Sequence, residues 1–313
     1  MADVKKIATR DAYGEALVAL GKQREDLIVL DADLAAATKT GTFKKAFPDR
    51  FYNCGIAEQN LIGVAAGLAA TGKLVFASSF AMFAAGRAFE VVRNSVGYPH
   101  LNVKIGATHA GISVGEDGAT HQCCEDIALM RTIPGMVVIN PADAVEAAAA
   151  VMAAAEHDGP VYMRFGRLAV PILYDDSYRF ELGKGVTLRD GADVTIIATG
   201  LMVERALLAA DQLKTEGVNA RVINIHTIKP LDEELVLRAA KETGAIVTAE
   251  EHSVIGGLGS AVADVLAREC PTKMRMVGVQ DTFGGSGPAV EMLERYGLGV
   301  KDIVAQTKAV LGK

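Results

Sequence analysis

The chain has 313 residues, of which 50% are hydrophobic and 22% are charged, and its net charge is −6. This length and composition are typical of a globular protein with one large or two ordinary domains. The acidic balance, without any run of Lys or Arg, argues against nucleic acid or an anionic membrane as the main partner. No apolar leader opens the sequence, and the longest run of small apolar residues, 147–155, is too short to span a bilayer. We therefore expect a soluble cytoplasmic protein.

The cysteines indicate neither a metal knuckle nor a disulfide framework. They are Cys54, Cys123, Cys124 and Cys270, and no two of them form a Cys-x-x-Cys pair. Because the usual zinc and disulfide-rich patterns need such pairs or regular spacings, the chemistry of this protein is expected to lie elsewhere.

Strand-like and helix-like stretches alternate from one end of the chain to the other. In the first half, the apolar runs that predict strands are 27–30, 51–57, 73–77, 101–107, 136–139 and 161–165. Helical spacing predicts helices over 59–70 and 83–96. A third helix is expected after Asn140, with Asn140 as N-cap and Pro141 at the first helical position.

The second half repeats the alternation after a stretch without clear periodicity. Strands are predicted over 194–198, 220–225, 245–249 and 274–279, and helices over 203–215 and 258–268. Another helix is expected between Asp232 as cap and Gly244 as stop, and two helices should finish the chain. The pattern predicts an α/β fold with two helix-covered, largely parallel sheets, in domains 1–170 and 192–313 joined by a linker, 171–191.

Ligands bind such sheets beyond the carboxyl ends of the strands, where three polar groups are expected. Glu58 follows one predicted strand, residues 107–122 follow another, and 164–167 end a third. Taken alone, Glu58 is better explained by a favourable position at a helix N-terminus than by a functional role. The sequence ATHAGISVGEDGATHQ at 107–122 is compatible with a well-bonded surface loop or a substrate site. A three-ligand metal site from His109, Asp117 and His121 is a further alternative, although its spacing matches no standard pattern.

Six ordered motifs over the whole chain resemble the transketolase family of thiamine diphosphate enzymes. They are GIAEQN at 55–60, SSFAMFAAGRAFEVVRN at 78–94, THAGISVGEDGATHQ at 108–122, GPVYMRFGR at 159–167, TAEEHSVIGGLG at 248–259 and DTFGGSGPA at 281–289. The resemblance covers only the later part of a full-length transketolase. It implies a pyrimidine-binding thiamine diphosphate fold followed by a smaller transketolase C-terminal α/β domain.

The resemblance also implies roles for individual residues. Catalytic roles are implied for Glu58, whose carboxyl would hydrogen-bond the cofactor's aminopyrimidine ring, and for His121. Cofactor contacts are implied for Glu58, Phe83, Phe80 and Asp33. Substrate contacts are implied for His109, Asp117, His121, Arg167 and Arg10, the two arginines on a phosphate. For Phe83, a place in the hydrophobic core is the alternative interpretation.

Two positions depart from the family pattern and leave the substrate open. The family usually has a phosphate-binding serine near Ala37, for which Thr38 is a possible replacement. Gly86 stands where some transketolases have a tyrosine beside the pyrimidine. The C-terminal domain is expected to lie away from the cofactor, and His252 is expected to be structural.

The sequence contains no Gly-Asp-Gly motif, with which the family holds the metal ion and the diphosphate. The resemblance therefore implies a split transketolase in which this chain is the C-terminal subunit and holds no metal. A separate N-terminal subunit would bind Mg²⁺ or Ca²⁺ and the diphosphate of thiamine diphosphate, in a two-plus-two heterotetramer. The expected reaction is transfer of a two-carbon ketol unit from a ketose phosphate to an aldose phosphate.

Three alternatives remain open from the sequence. The beta subunit of a 2-oxo acid dehydrogenase shares the length and the glutamate, but usually lacks GEDGATHQ between two histidines. A deoxyxylulose phosphate synthase-like enzyme shares much of the pattern, but normally has an arginine in place of Phe83. A non-catalytic partner subunit would have no physical need for Glu58, His109 and Arg167 together.

Overall fold

The computed structural model describes residues 5–313. Residues 1–4 lie outside the described part of the chain. The expectation that no apolar leader opens the sequence falls partly on these residues. Within residues 5–313, no helix is both long and apolar enough to cross a membrane.

Within the first half, the described residues 5–171 form eight strands and seven helices. They are β1 (Lys6–Ala8), α1 (Thr9–Gln23), β2 (Leu27–Asp31), α2 (Ala35–Thr38), α3 (Thr40–Ala46), β3 (Phe51–Asn53), α4 (Glu58–Ala70), β4 (Leu74–Phe80), α5 (Phe89–Val91), β5 (Val103–Thr108), α6 (Asp126–Arg131), β6 (Val137–Ile139), α7 (Ala144–Glu156), β7 (Val161–Arg164) and β8 (Ala169–Pro171). Two π-helical segments, Met82–Arg87 and Val92–Gly97, flank α5, and a 3₁₀ segment, Ile112–Asp117, follows β5.

The second half forms six strands and five helices. They are β9 (Val186–Arg189), β10 (Val194–Ala198), α8 (Met202–Thr215), β11 (Ala220–Asn224), β12 (Thr227–Lys229), α9 (Glu233–Thr243), β13 (Ala245–Ser253), α10 (Leu258–Glu269), β14 (Lys273–Val279), α11 (Ala289–Arg295) and α12 (Val300–Leu311).

Two largely parallel sheets organise the molecule, as the sequence predicts. The first has the strand order β12-β6-β7-β5-β4-β2-β3, and the second β14-β13-β10-β11-β9. β12 pairs antiparallel with β6, and β9 pairs antiparallel with β11. The central strands β2 and β4 are buried along their whole length, which accounts for their continuous apolar sequences LIVL and LVFA. The predicted α/β fold class is confirmed.

The two halves pack closely against each other. β12 lies beyond β11 in the sequence, yet it forms the edge of the first sheet. Arg164 at the end of β7 is buried, pairs with Asp126 at 2.8 Å, and donates to the Glu251 carbonyl of β13 at 2.8 Å. The Glu251 carboxylate in turn accepts from the backbone N–H of Ser113 at 2.6 Å. Buried hydrogen bonds and a shared sheet therefore join the two halves.

Four local features differ from the sequence predictions. The helix expected over 83–96 is interrupted by the two π-helical segments. The cap of α7 is Asp143, not Asn140, and its carboxylate accepts from the N–H of Glu146 at 2.8 Å. α1 was not predicted, although its buried residues Tyr13, Leu17 and Leu20 recur at helical spacing. β9 lies inside the stretch expected as a linker and adds to the second sheet.

Candidate active site

Glu58 is the first residue of α4, where the chain turns from β3 into a helix. Its side chain is only 2% exposed, and its Oε2 accepts a hydrogen bond from Arg87 at 2.9 Å. Leu61 and Ile62 are buried beside it, as expected, but Ile56 is 79% exposed. The carboxylate is therefore shielded by its own helix and by Arg87, and not by an apolar segment before it.

Two phenylalanines and two histidines form an aromatic wall next to this carboxylate. Phe80 ends β4 and stacks on His109 with ring centroids 3.8 Å apart. Phe83 lies about one turn further along the chain. Its ring centroid is 6.2 Å from that of Phe80 and 5.3 Å from that of His121, and the Phe83 and His121 rings meet edge to face. The Arg87 guanidinium lies over the Phe83 ring at 4.8 Å and so connects the wall to Glu58.

His109 is buried in this wall and is held as a neutral imidazole. Burial, followed by the positive charges of Arg10 and Arg167, lowers its pKa to about 3. Its Nε2 lies 2.9 Å from an N–H of Arg10, which can only donate, so Nε2 accepts and Nδ1 carries the proton toward Thr108 Oγ1 at 2.9 Å. The backbone of His109 has φ +56°, a conformation rare for residues other than glycine, and such strain clusters at functional sites.

Arg167 anchors the loop that follows β5. Its guanidinium donates to the carbonyl of Val114 and to Glu116 at 2.9 Å. Asp117 lies exposed at the end of the 3₁₀ segment in the same loop. Arg10 and Arg167 thus bring two positive charges next to His109, an arrangement suited to an anionic ligand.

The structure connects most of the residues that the sequence singles out. Direct contacts link Arg10, His109, Phe80, Phe83 and His121, and reach Glu58 through Arg87. Asp33 is exposed and is instead held by Asn53, whose amide donates to it at 2.7 Å.

Thr38 is unsuited to the phosphate-binding role that the sequence left open for it. Its side chain is fully buried, and its hydroxyl donates to Asp31 at 2.7 Å. Thr40 donates to the same carboxylate at 2.9 Å. These two hydroxyls satisfy a buried carboxylate, whose pKa is raised by burial, and so have no free donor for a ligand.

A three-ligand metal site is also not formed. Within residues 5–313, no group of three His, Cys, Asp or Glu side chains could hold a metal ion. Arg10 occupies the Nε2 side of His109, which would otherwise be free for a metal.

A cavity of about 540 Å³ opens beside the aromatic wall. Phe83, Arg87 and Gln122 line it from the first half of the chain, and Thr282, Phe283 and Gly284 line it from the second. Gln122 also donates to the Gly285 carbonyl at 3.0 Å. The C-terminal domain was expected to lie away from this site, but its DTFGGSGPA loop borders the cavity.

Sequence reasoning missed two features of this site. Arg87 stands inside the SSFAMFAAGRAFEVVRN motif, four residues after Phe83, so its helical position was a usable signal. The DTFGGSGPA motif was noticed but was not connected to the site. Gly284 permits the close approach, because a Cβ there would lie 1.8 Å from Gln122 Oε1.

Comparison with known proteins agrees with this architecture. The transketolase pyrimidine-binding domain matches residues 5–172, and the transketolase C-terminal domain matches residues 183–303. Together they span most of the chain. The chain therefore belongs to the transketolase family, and family membership implies a dependence on thiamine diphosphate.

Individual relatives match over nearly their whole length. A transketolase C-terminal section from Methanocaldococcus jannaschii is 55% identical over 92% of each chain. The 6-deoxy-6-sulfo-D-fructose transketolase subunit SqwH from a Clostridium species is 48% identical, over 94% of this chain and 92% of its own. A solved structure described as a split gene transketolase, inactive beta4 tetramer, superimposes with a TM-score of 0.92 at 56% identity, covering 98% of this chain and 99% of the other. The Clostridium relative is described as a transketolase subunit and the Methanocaldococcus relative as a C-terminal section.

Proposed function

We propose that this chain is the C-terminal subunit of a thiamine diphosphate-dependent transketolase. The assembled enzyme breaks the C2–C3 bond of a ketose phosphate and transfers the two-carbon ketol unit to the aldehyde carbon of an aldose phosphate. The observation that carries the proposal is the buried Glu58 carboxylate, which Arg87 connects to the Phe83 ring at a cavity of about 540 Å³. A flat heteroaromatic ring with a polar edge needs this pairing of an aromatic face and a carboxylate.

The residues of the chain fit the pyrimidine half of the cofactor. Glu58 would hydrogen-bond the pyrimidine ring and share a proton with it, while Phe83 would stack on the ring. Phe80 supports this wall, and Asp33 lies at the carboxyl-end edge of the same sheet. When bound, the cofactor supplies the carbon nucleophile that makes ketol transfer possible.

The sugar would lie along the histidines and arginines of the same site. His121 and Asp117 would bind hydroxyl groups near the reacting carbons, with His121 also moving protons there. A neutral His109 can both accept and donate hydrogen bonds. Arg10 and Arg167 would bind the phosphate end, so Arg167→Ala should raise KM for phosphorylated substrates with a smaller effect on kcat.

The diphosphate half would come from a partner. No Gly-Asp-Gly motif occurs in the sequence, and no three metal-ligating side chains converge within residues 5–313. We therefore assign Mg²⁺ or Ca²⁺ and the diphosphate to an N-terminal subunit, in a heterotetramer of two copies of each chain. The sulfosugar relative indicates that the anionic end of the substrate varies within the family.

The test is a reconstitution assay. Ketol transfer from xylulose 5-phosphate to ribose 5-phosphate would be measured with thiamine diphosphate and Mg²⁺, for this chain, for the N-terminal subunit and for their mixture. We expect turnover only in the mixture. Turnover by this chain alone would contradict the division of the site. A mixture inactive with phosphosugars, sulfosugars and 2-oxo acids alike would favour a non-catalytic subunit.

A further inference from the structure

Arg87 makes both of the contacts that the proposed function assigns to the cofactor's pyrimidine ring. Its terminal nitrogen is 2.9 Å from Glu58 Oε2, and its guanidinium carbon is 4.8 Å from the centroid of the Phe83 ring. We infer that Arg87 occupies the pyrimidine position in the free subunit and must be displaced when the cofactor binds. This inference rests on the proposed function, since it concerns the same carboxylate and the same ring face.

The chemistry of the two groups explains the competition. A guanidinium is flat and carries only donors, so it can pair with a carboxylate while it lies on an aromatic face. An aminopyrimidine is also flat, and it would use the same aromatic face and the same carboxylate. One ring face and one Oε2 cannot serve both groups at the same time, so binding of one displaces the other.

Arg87 also explains why Glu58 is stable in a subunit without cofactor. A carboxylate that is 2% exposed and unpaired would be costly to bury, and Arg87 gives it a charged donor. Among the hydrogen bonds of residues 5–313, the only side chain that pairs with this carboxylate is that of Arg87. The arginine therefore compensates the buried charge of Glu58.

The arginine is free to move once a stronger ligand arrives. Its side chain is 52% exposed, and it lines the cavity of about 540 Å³, which leaves room for another rotamer. Within the described chain its guanidinium makes no ion pair besides the one to Glu58. The cofactor must break one half-exposed ion pair and one cation–π contact of Arg87 when it binds. Together these contacts should weaken cofactor binding by about tenfold.

The test is calorimetric titration of thiamine diphosphate, with Mg²⁺, into the complex assembled with the N-terminal subunit. We expect Arg87→Ala to bind the cofactor about tenfold more tightly than the unchanged complex, with a difference that shrinks as salt is added. Arg93→Ala is the matched control, because Arg93 is exposed in the π-helical segment after α5 and its side chain, among the hydrogen bonds of residues 5–313, donates only to Asn94. Its affinity should equal that of the unchanged complex. Arg87→Met keeps the aliphatic stem of the arginine and should also bind the cofactor about tenfold more tightly. It therefore serves as a second variant should Arg87→Ala fail to fold.

Each outcome decides the question. Equal or weaker binding by both Arg87 variants would show that the arginine does not compete with the cofactor. A crystal structure of the loaded complex that retained the contact between Arg87 and Glu58 Oε2 would also overturn the inference. If neither the unchanged complex nor the variants bound the cofactor, the proposed function itself would be wrong, and the inference would fall with it.

Discussion

Glu58 brings a buried carboxylate to the start of a helix beside an aromatic ring, and its replacement is the sharpest test of a single side chain. Glu58→Ala removes the carboxylate that accepts a hydrogen bond from Arg87. Because Arg87 is half-exposed, its guanidinium can turn to solvent, so the fold should survive. We expect kcat of the reconstituted enzyme to fall by roughly 10²-fold or more, with an unchanged far-UV circular dichroism spectrum. Near-normal turnover would remove Glu58 from catalysis.

His252 offers a test through pH. Its Nδ1 donates to the Ser253 carbonyl at 2.7 Å, its Nε2 accepts from the N–H of Ala128 at 3.3 Å, and burial lowers its pKa from 6.5 to about 4. Between these values the unfolded chain binds a proton that the folded chain does not. The free energy of unfolding should therefore fall as pH drops from 6.5 to 4.

His252→Gln removes the imidazole that gains a proton on unfolding, and it keeps a polar side chain at this position. Urea unfolding at pH 7, 6 and 5 should show a smaller loss of stability for the variant than for the unchanged chain. The buried Glu146 and Glu250, whose pKa values burial raises to about 7, act in the opposite direction in both proteins, so only the difference between them is informative. Parallel pH curves would contradict a neutral, buried His252.

The cap of α7 shows how one carboxylate can fix two elements. Asp143 Oδ1 accepts from the N–H of Glu146, while Oδ2 accepts from the N–H of Leu173 at 2.7 Å and of Tyr174 at 3.0 Å. Asp143→Ala should lower the free energy of unfolding by about 2–4 kcal/mol, more than an ordinary cap, because it also leaves two partly buried donors without their acceptor. Asp143→Asn keeps an oxygen for the cap and should cost less. Equal losses in urea denaturation would contradict the double role.

Elements defined by short-range signals could be predicted from the sequence. α9 begins after Asp232 and ends at Gly244, as the capping residues indicate. The π-helical segments could not be distinguished from an α-helix, because one extra residue in a turn changes the apolar spacing of a short segment too little to be recognised. The partners of Glu58 and Gln122 depend on contacts between distant segments, and no local pattern contains that information.

At the level of the whole chain, the two halves should unfold together. β12 completes the first sheet from within the second half, and one hydrophobic cluster contains both Ile105 and Ile225. Arg164 and Glu251 add buried polar contacts between the halves. We expect a single calorimetric transition whose van't Hoff and calorimetric enthalpies agree. Two separate transitions would show that the halves are energetically independent.

The division of the cofactor site between two chains is the central claim. It is tested most directly by calorimetric binding of thiamine diphosphate, with Mg²⁺, to this chain, to the N-terminal subunit and to their complex, and to the complex carrying Glu58→Ala. We predict tight binding only to the unchanged complex, with one cofactor for each pair of chains, and clearly weaker binding when Glu58 is replaced. Equally tight binding by this chain alone, or an affinity unaffected by the loss of Glu58, would contradict the account.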